Sequence, residues 1–294
     1  MEEPPILTFD TSAINRLVDE KDATDLDALI ARLRSGFFVR LTFTNVEEAV
    51  ANTCGERRRK VLDVCRRLVS SGGRLAEGIH CIDPTGEIIR KMVAGFEGGA
   101  PFDWQGVDVG FPEAEQEIAR QENFPDNLAK VVREEARTYD KTFDKVYADA
   151  RPNFDKVFVA GGKDRPANVY QLVSGLQKGG QFWTMARNLY ERVAERPADD
   201  ATIRKFVAEC PPFLALMIAL CAAHYDRNAR PPSAPRSHRA GWADTLMAVC
   251  LPYCNQFVTD DRGQMSCYKE VVSLGGLDVT VRSYEEFRSS FCLA

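Results

Sequence analysis

Four carboxylates stand where a parallel sheet would gather them along one edge: Asp10, Glu47, Asp244 and Asp261. Asp10 ends the apolar run Ile6-Leu7-Thr8-Phe9 and opens Asp10-Thr11-Ser12-Ala13-Ile14, which reads as strand, turn, then helix. Glu47 follows Val39-Arg40-Leu41-Thr42-Phe43-Thr44, again at the passage from strand into helix. Asp244 starts the helical stretch Trp242-Ala243-Asp244-Thr245-Leu246-Met247-Ala248, and Asp261 follows the strand-like Gln256-Phe257-Val258-Thr259-Asp260. In open parallel sheets, ligands bind in the crevice outside the strands' carboxyl ends. Acids gathered there repel one another unless cations hold them, and oxygen-only ligands suit Mg²⁺ or Mn²⁺. The pattern predicts a metal site.

Such a site suits phosphodiester hydrolysis, in which one anion must be attacked by another. Two divalent cations about 4 Å apart can lower the pKa of a water and stabilise the leaving oxygen. Asp10, on the central strand, is the expected ligand nearest both metal positions, and Asp244 and Asp261 complete the cluster. Glu47 either binds directly or orients a water. The hydroxyls of Ser12 and Thr259 would fix carboxylate rotamers from behind, with Asp260 beside them. Each residue also has an ordinary reading. Asp10 and Asp244 make good helix caps, Glu47 (with Glu48 beside it) is a first-turn acid favoured by the helix dipole, and Asp260-Asp261 form a turn before Gly263. Four such coincidences in this order are less expected than one site.

These segments resemble the motifs of the PIN-domain (PilT N-terminus-like) nucleases. Leu-Thr-Phe-Asp-Thr-Ser-Ala-Ile, ending at Ile14, is similar to the first motif, an apolar strand, an Asp and a small hydroxyl residue two positions on. Thr44-Asn45-Val46-Glu47-Glu48-Ala49 looks like the second, a Thr with a Glu three residues later. Gly241-Trp242-Ala243-Asp244 and Phe257-Val258-Thr259-Asp260-Asp261 look like the third and fourth, and Leu277 to Phe287 like the closing strand and short helix. The resemblance covers roughly residues 4–95 and 237–294. It implies a metal-dependent endonuclease acting on RNA, single-stranded or structured, that leaves a 5′-phosphate and a 3′-hydroxyl. The alternative is a non-catalytic PIN-like module that binds a protein, RNA or a second copy of the chain through its extra helices.

The elements that must position these residues alternate in the first third of the chain. Strands are expected at 5–9, 38–42 and 79–82, with helices at 25–34, from Asn45 through the Cys54 region, at 56–70 and at about 86–94. Val61, Leu62, Val64, Cys65, Leu68 and Val69 recur at helical spacing, and Asp83-Pro84-Thr85 caps the helix that follows. Repeated βα units predict a parallel sheet with helices on both faces. From Gly95 a Gly/Pro/Asp-rich loop runs to about Pro112, and helices follow at 113–121, 126–150, 166–178, 181–195, 199–209 and 212–225. The expected fold is α/β: a parallel-sheet PIN-like core over 1–95 and 237–294, interrupted by an all-helical insertion over 96–236. Strands near 256–259 and 279–282 close the sheet.

Of 294 residues, 45% are hydrophobic and 28% charged, which is ordinary for a globular chain. A formal net charge of −5 excludes a protein that coats nucleic acid through bulk charge, so any backbone contact must be a local basic patch. Two are present: Arg57-Arg58-Arg59-Lys60 with Arg66-Arg67, and Arg227, Arg230, Arg236 and Arg239 leading into the Asp244 helix. Arg236, Arg239, Arg57 and Arg58 are the candidate phosphate contacts. Nine cysteines without a C-x-x-C pair, and no leader segment, favour reduced thiols in a cytoplasmic protein and argue against zinc. The most apolar run, Phe213 to Ala223, is too short for a bilayer and reads as a buried helix, so no membrane partner is expected. The three histidines lie near no G-x-S-x-G element. Gly161-Gly162-Lys163-Asp164 lacks phosphate-loop spacing. An aspartate-nucleophile phosphatase would need Asp at position 12, where Ser stands.

Overall fold

Short runs of alternating large apolar residues build the centre of the molecule. A computed structural model describes residues 4–20, 23–69, 79–82, 85–99, 108–110, 125–156, 165–230 and 240–292. Its sheet contains β1 (Ile6–Phe9), β2 (Phe38–Thr42), β3 (Ile79–Ile82), β4 (Asp108–Gly110), β5 (Gln256–Thr259) and β6 (Thr280–Ser283). The strand order is β4-β3-β2-β1-β5-β6, and every pairing is parallel except that of β4 with β3. β1 is central, with Leu7 opposite Val39 on one side and Phe9 opposite Val258 on the other. The parallel strands thus all point their carboxyl ends toward the same edge.

Successive side chains enter opposite faces. Leu7, Phe9, Val39, Leu41 and Val258 meet one helical layer: α1 (Thr11–Val18), α2 (Ala23–Gly36), α3 (Phe43–Val50), α4 (Gly55–Val69) and α13 (Tyr284–Cys292). Phe257 and Val281 meet the other layer. It comprises α5 (Thr85–Glu97), α7 (Val169–Lys178), α8 (Gln181–Ala194), α9 (Asp200–Glu209), α10 (Pro211–His224), a 3₁₀ segment at Ala248–Tyr253 and α12 (Arg262–Gly275). Both faces are covered, as a parallel sheet requires. α10 is apolar all round and buried, as its composition predicts. The helices between residues 169 and 224 share one core with the second face of the sheet. Among the described residues no single helix is long and apolar enough to cross a membrane.

The remaining long helix, α6 (Asp126–Asp155), is tied to both ends of the chain. Buried Arg58 of α4 bonds Asp126 at 2.6 Å, and Asp140 accepts from the Trp242 amide at 2.9 Å. Arg227 lies flat on Phe143 and Tyr147, bonds Asp144 at 2.7 Å and donates to the Ala240 carbonyl. Arg227→Ala is expected to cost about 2 kcal/mol, since a charge-assisted bond, a backbone bond and ring packing go together. A denaturant midpoint unchanged from wild type would show that α6 is held by other contacts.

Several boundaries differ from the sequence-based expectation. The loop expected after Gly95 contains β4, whose three residues carry no periodicity to read. α3 stops at Val50 rather than running to the Cys54 region, and the closing strand lies one residue later than expected. The helix expected at 113–121 and most of the linker, with Arg236, His238 and Arg239, lie outside the described residues.

Candidate active site

Asp10 leaves β1 at the centre of the sheet's carboxyl edge and caps α1, accepting from the Ser12 amide at 2.9 Å. It is almost fully buried. Its second support is the Thr259 hydroxyl at 3.3 Å, which also lies 3.2 Å from the Ser12 hydroxyl. Ser12 in turn accepts from the Asp260 amide, and Thr259 from the Asp261 amide. Ser12 and Thr259 therefore hold Asp10 between β1 and β5 in the positioning role expected of them. Asp260 contributes only its backbone there, since its side chain turns outward to Arg16 at 3.6 Å.

Asp261 caps α12 through the Gln264 amide N–H at 2.8 Å. The Gln264 side chain is fully buried, and its Nε2 donates to Asp10 at 3.3 Å and to Asp244 at 3.0 Å. Its Oε1 has no hydrogen-bond partner among the described residues. Asp244, in α11 (Trp242–Met247), uses its other oxygen to accept from the Gly241 amide at 2.8 Å, while Tyr268 holds its backbone carbonyl. A Cβ at Gly241 would sit 3.2 Å from the Asp140 Oδ1 and 3.5 Å from the Asp244 Oδ2, so glycine lets α6 and α11 meet closely here.

α3 supplies the fourth acid, and it is Glu48 that faces the others. Thr42 is the helix N-cap, with Asn45 in a reciprocal capping box. The Asn45 side chain donates to the Thr11 hydroxyl at 3.1 Å, and Thr11 donates to the Glu48 carboxylate. Residues 45 and 48 lie one turn apart on a single face, which looks toward Asp10. Glu47 is exposed and lines, with Glu48 and Asp140, an adjoining crevice of about 380 Å³ that α3, α6 and α11 enclose. On α3 it is thus Glu48 that is placed toward Asp10 and Asp244, with the expected Glu47 beside it.

The electrostatics follow from this crowding. Burial first, then the charge of Asp10, then those of Asp261 and Asp140, push Asp244 up to about 7 against the pull of the Gly241 amide. Glu48 is exposed along the crevice, yet protein packs around its carboxyl. Desolvation there, with Asp10, Asp244 and Glu47 nearby, pushes it up to about 8 although Thr11 opposes the shift. Burial alone raises Glu47. Oxygen-only donors and an orphaned amide oxygen suit a hard divalent cation. Among the described residues, however, no group of three or more His, Cys, Asp or Glu side chains is placed so as to hold a metal ion. The Gln264 amide stands between Asp10 and Asp244 instead.

Two of the four candidate phosphate contacts are engaged in the fold. Arg58 is 3% exposed and donates to Asp126 and the Asn52 carbonyl, so burial keeps it from a backbone phosphate. Arg57 binds Asp19 and Asn15, locking α4 to α1. Arg236 and Arg239 lie outside the described residues. The residues that sequence reasoning passed over are Thr11, Asn45, Glu48, Asp140 and Gln264. Compared with protein-family models, curated proteins and solved structures, the chain matches none.

Proposed function

We propose that this chain is a metal-dependent endonuclease with a PIN-like core, hydrolysing phosphodiester bonds, of RNA by preference. The observation that carries the reading is the single amide of Gln264 bonded to Asp10 and Asp244, acids from opposite ends of the chain. Evolution of a merely structural cap would not require this convergence. Asp10, Glu48, Asp244 and Asp261 would hold Mg²⁺ or Mn²⁺. Those ions would supply the positive charge that activates water and steadies the leaving oxygen. The chain's own groups do the positioning: Ser12 and Thr259 fix the Asp10 rotamer, while Asn45 and Thr11 fix Glu48. Glu48 and Asp244 hold protons near neutral pH in the metal-free protein, so cation uptake should release protons.

The test is Mn²⁺-dependent cleavage of mixed RNA and DNA oligonucleotides by wild type and by Asp10→Asn. Within that assay, Glu48→Gln should lower the rate at least about tenfold, and Glu47→Gln by less. The reverse ranking would return the role to Glu47. A second reading, a non-catalytic module that binds a protein or RNA through its helices, is favoured by the apolar side chains exposed on α6: Leu128, Val131, Tyr139 and Val146. Wild type that binds RNA but cleaves nothing in Mn²⁺ would favour it.

A further inference from the structure

Next to the acid crevice lies a second cavity of about 570 Å³, between α6, α8 and α10. Tyr139 and Trp242 line both spaces and stand between them. The ring planes of Tyr139 and Trp242 are nearly parallel, 20° apart with centroids at 6.4 Å, and Phe143 meets Trp242 edge-on at 5.3 Å. Trp242 is two residues before Asp244, and its amide is fixed by Asp140. Among the described residues no Asp, Glu, Lys or Arg side chain lines the cavity, although Arg227 packs over its Phe143 and Tyr147 rings. Its histidine, His224, is pushed down to about 4 by burial, so the interior is neutral at physiological pH. At the mouth, Tyr139 is 57% and Val146 59% exposed, an unusual cost for large apolar groups unless something covers them.

We infer that this aromatic cavity receives one unstacked base of a single-stranded nucleic acid whose backbone passes the Asp10–Asp244 crevice. A neutral, ring-lined space rejects a phosphate and accepts a flat heteroaromatic group. Stacking on aromatic side chains is worth roughly 1–3 kcal/mol per base and tolerates any sequence, because every base has a π-face. A duplex would have to surrender the base, so the cavity selects unpaired strands. The inference rests on the nuclease reading for its substrate, but base binding and cleavage are separable in measurement.

The experiment compares two short fluorescein-labelled single-stranded RNAs, one intact and one with abasic sites, by equilibrium binding in Ca²⁺. Wild type should bind the intact strand about tenfold or more tightly. Tyr139→Ala, a change at an exposed position, should erase most of that difference, and Tyr139→Phe should retain it. The salt dependence should be the same for all three proteins, since no charge is lost. Equal binding of the two RNAs by wild type, no binding of either, or an undiminished difference in Tyr139→Ala would overturn the base site. Mn²⁺ cleavage by the same wild-type protein reports on the nuclease reading separately. Cleavage without base preference leaves that reading standing alone, and base preference without cleavage leaves the cavity standing alone.

Discussion

Asp10→Asn and Asp244→Asn are each expected to lower Mn²⁺-dependent phosphodiester cleavage at least about a hundredfold while leaving the chain folded. Each replaces a carboxylate that could bind a cation by a neutral amide at almost constant shape. At position 10 the amide oxygen can still accept from Ser12 and Thr259. The new N–H group would face the Gln264 Nε2, donor against donor; a flipped Gln264 amide would present its oxygen to position 10 but give up its bond to Asp244. The loss is confined to these side-chain bonds, and folding should survive it. Stability should rise in the presence of a chelator, because Asp10 is the charge that most strongly disfavours ionised Glu48 and Asp244. The checks are oligonucleotide cleavage in Mn²⁺ and thermal melts in EDTA. Wild-type rates in either variant would remove that residue from the site. A lower melting temperature in Asp10→Asn would show that the crevice is not crowded by charge.

The sheet was legible because its strands are short apolar runs set between helical periods, and β1, β2, β3 and β5 lie where the pattern places them. So were Asp10, Asp244 and Asp261, since each sits at the passage between a strand and a helix or opens a helix. The orientation of the α3 acids follows from the cap, which is Thr42. Counting from Thr42, Val46, Ala49 and Val50 fall on the core side and Asn45 and Glu48 on the face toward Asp10, a signal present in the sequence. Gln264 was half legible. Three residues after the cap Asp261, it occupies the place where a Gln ordinarily reaches back to the cap's own N–H. Here the Thr259 hydroxyl takes that N–H, which frees the amide for Asp10 and Asp244. Asp140 was not legible at all. An amphipathic helix shows which face is buried, not which distant segment it meets, and α6 docks by pairs such as Arg58–Asp126 that no local pattern encodes. The same limit explains the basic run at 57–60, where Arg57 and Arg58 serve the packing of α4 rather than an open face.

Metal-free protein should lose stability steadily as the pH rises from about 4 to about 8, and added Mg²⁺ or Mn²⁺ should flatten that slope. The sign follows from the carboxyls whose folded pKa is raised, Asp244 to about 7 and Glu48 to about 8. Below about 4 they are protonated in both folded and unfolded chains and make no difference. Between the unfolded and folded values the unfolded chain has released its protons while the folded chain keeps them, so unfolding is increasingly favoured as pH rises. Above about 8 both states are ionised and the penalty is constant. For Asp244 alone the loss is on the order of 4 kcal/mol; Glu48 adds less than its shift implies, because the crevice admits water. That amounts to several degrees in Tm for a chain of this size. A cation bound by the ionised acids stabilises only the folded state, and does so most where protons no longer compete, so its effect should grow with pH. Melts in EDTA and in Mg²⁺ at a series of pH values test both statements. An apo Tm that climbs between pH 5 and pH 8, or a Mg²⁺ effect that shrinks over that range, would show that these acids are not the crowded, cation-seeking set their geometry implies.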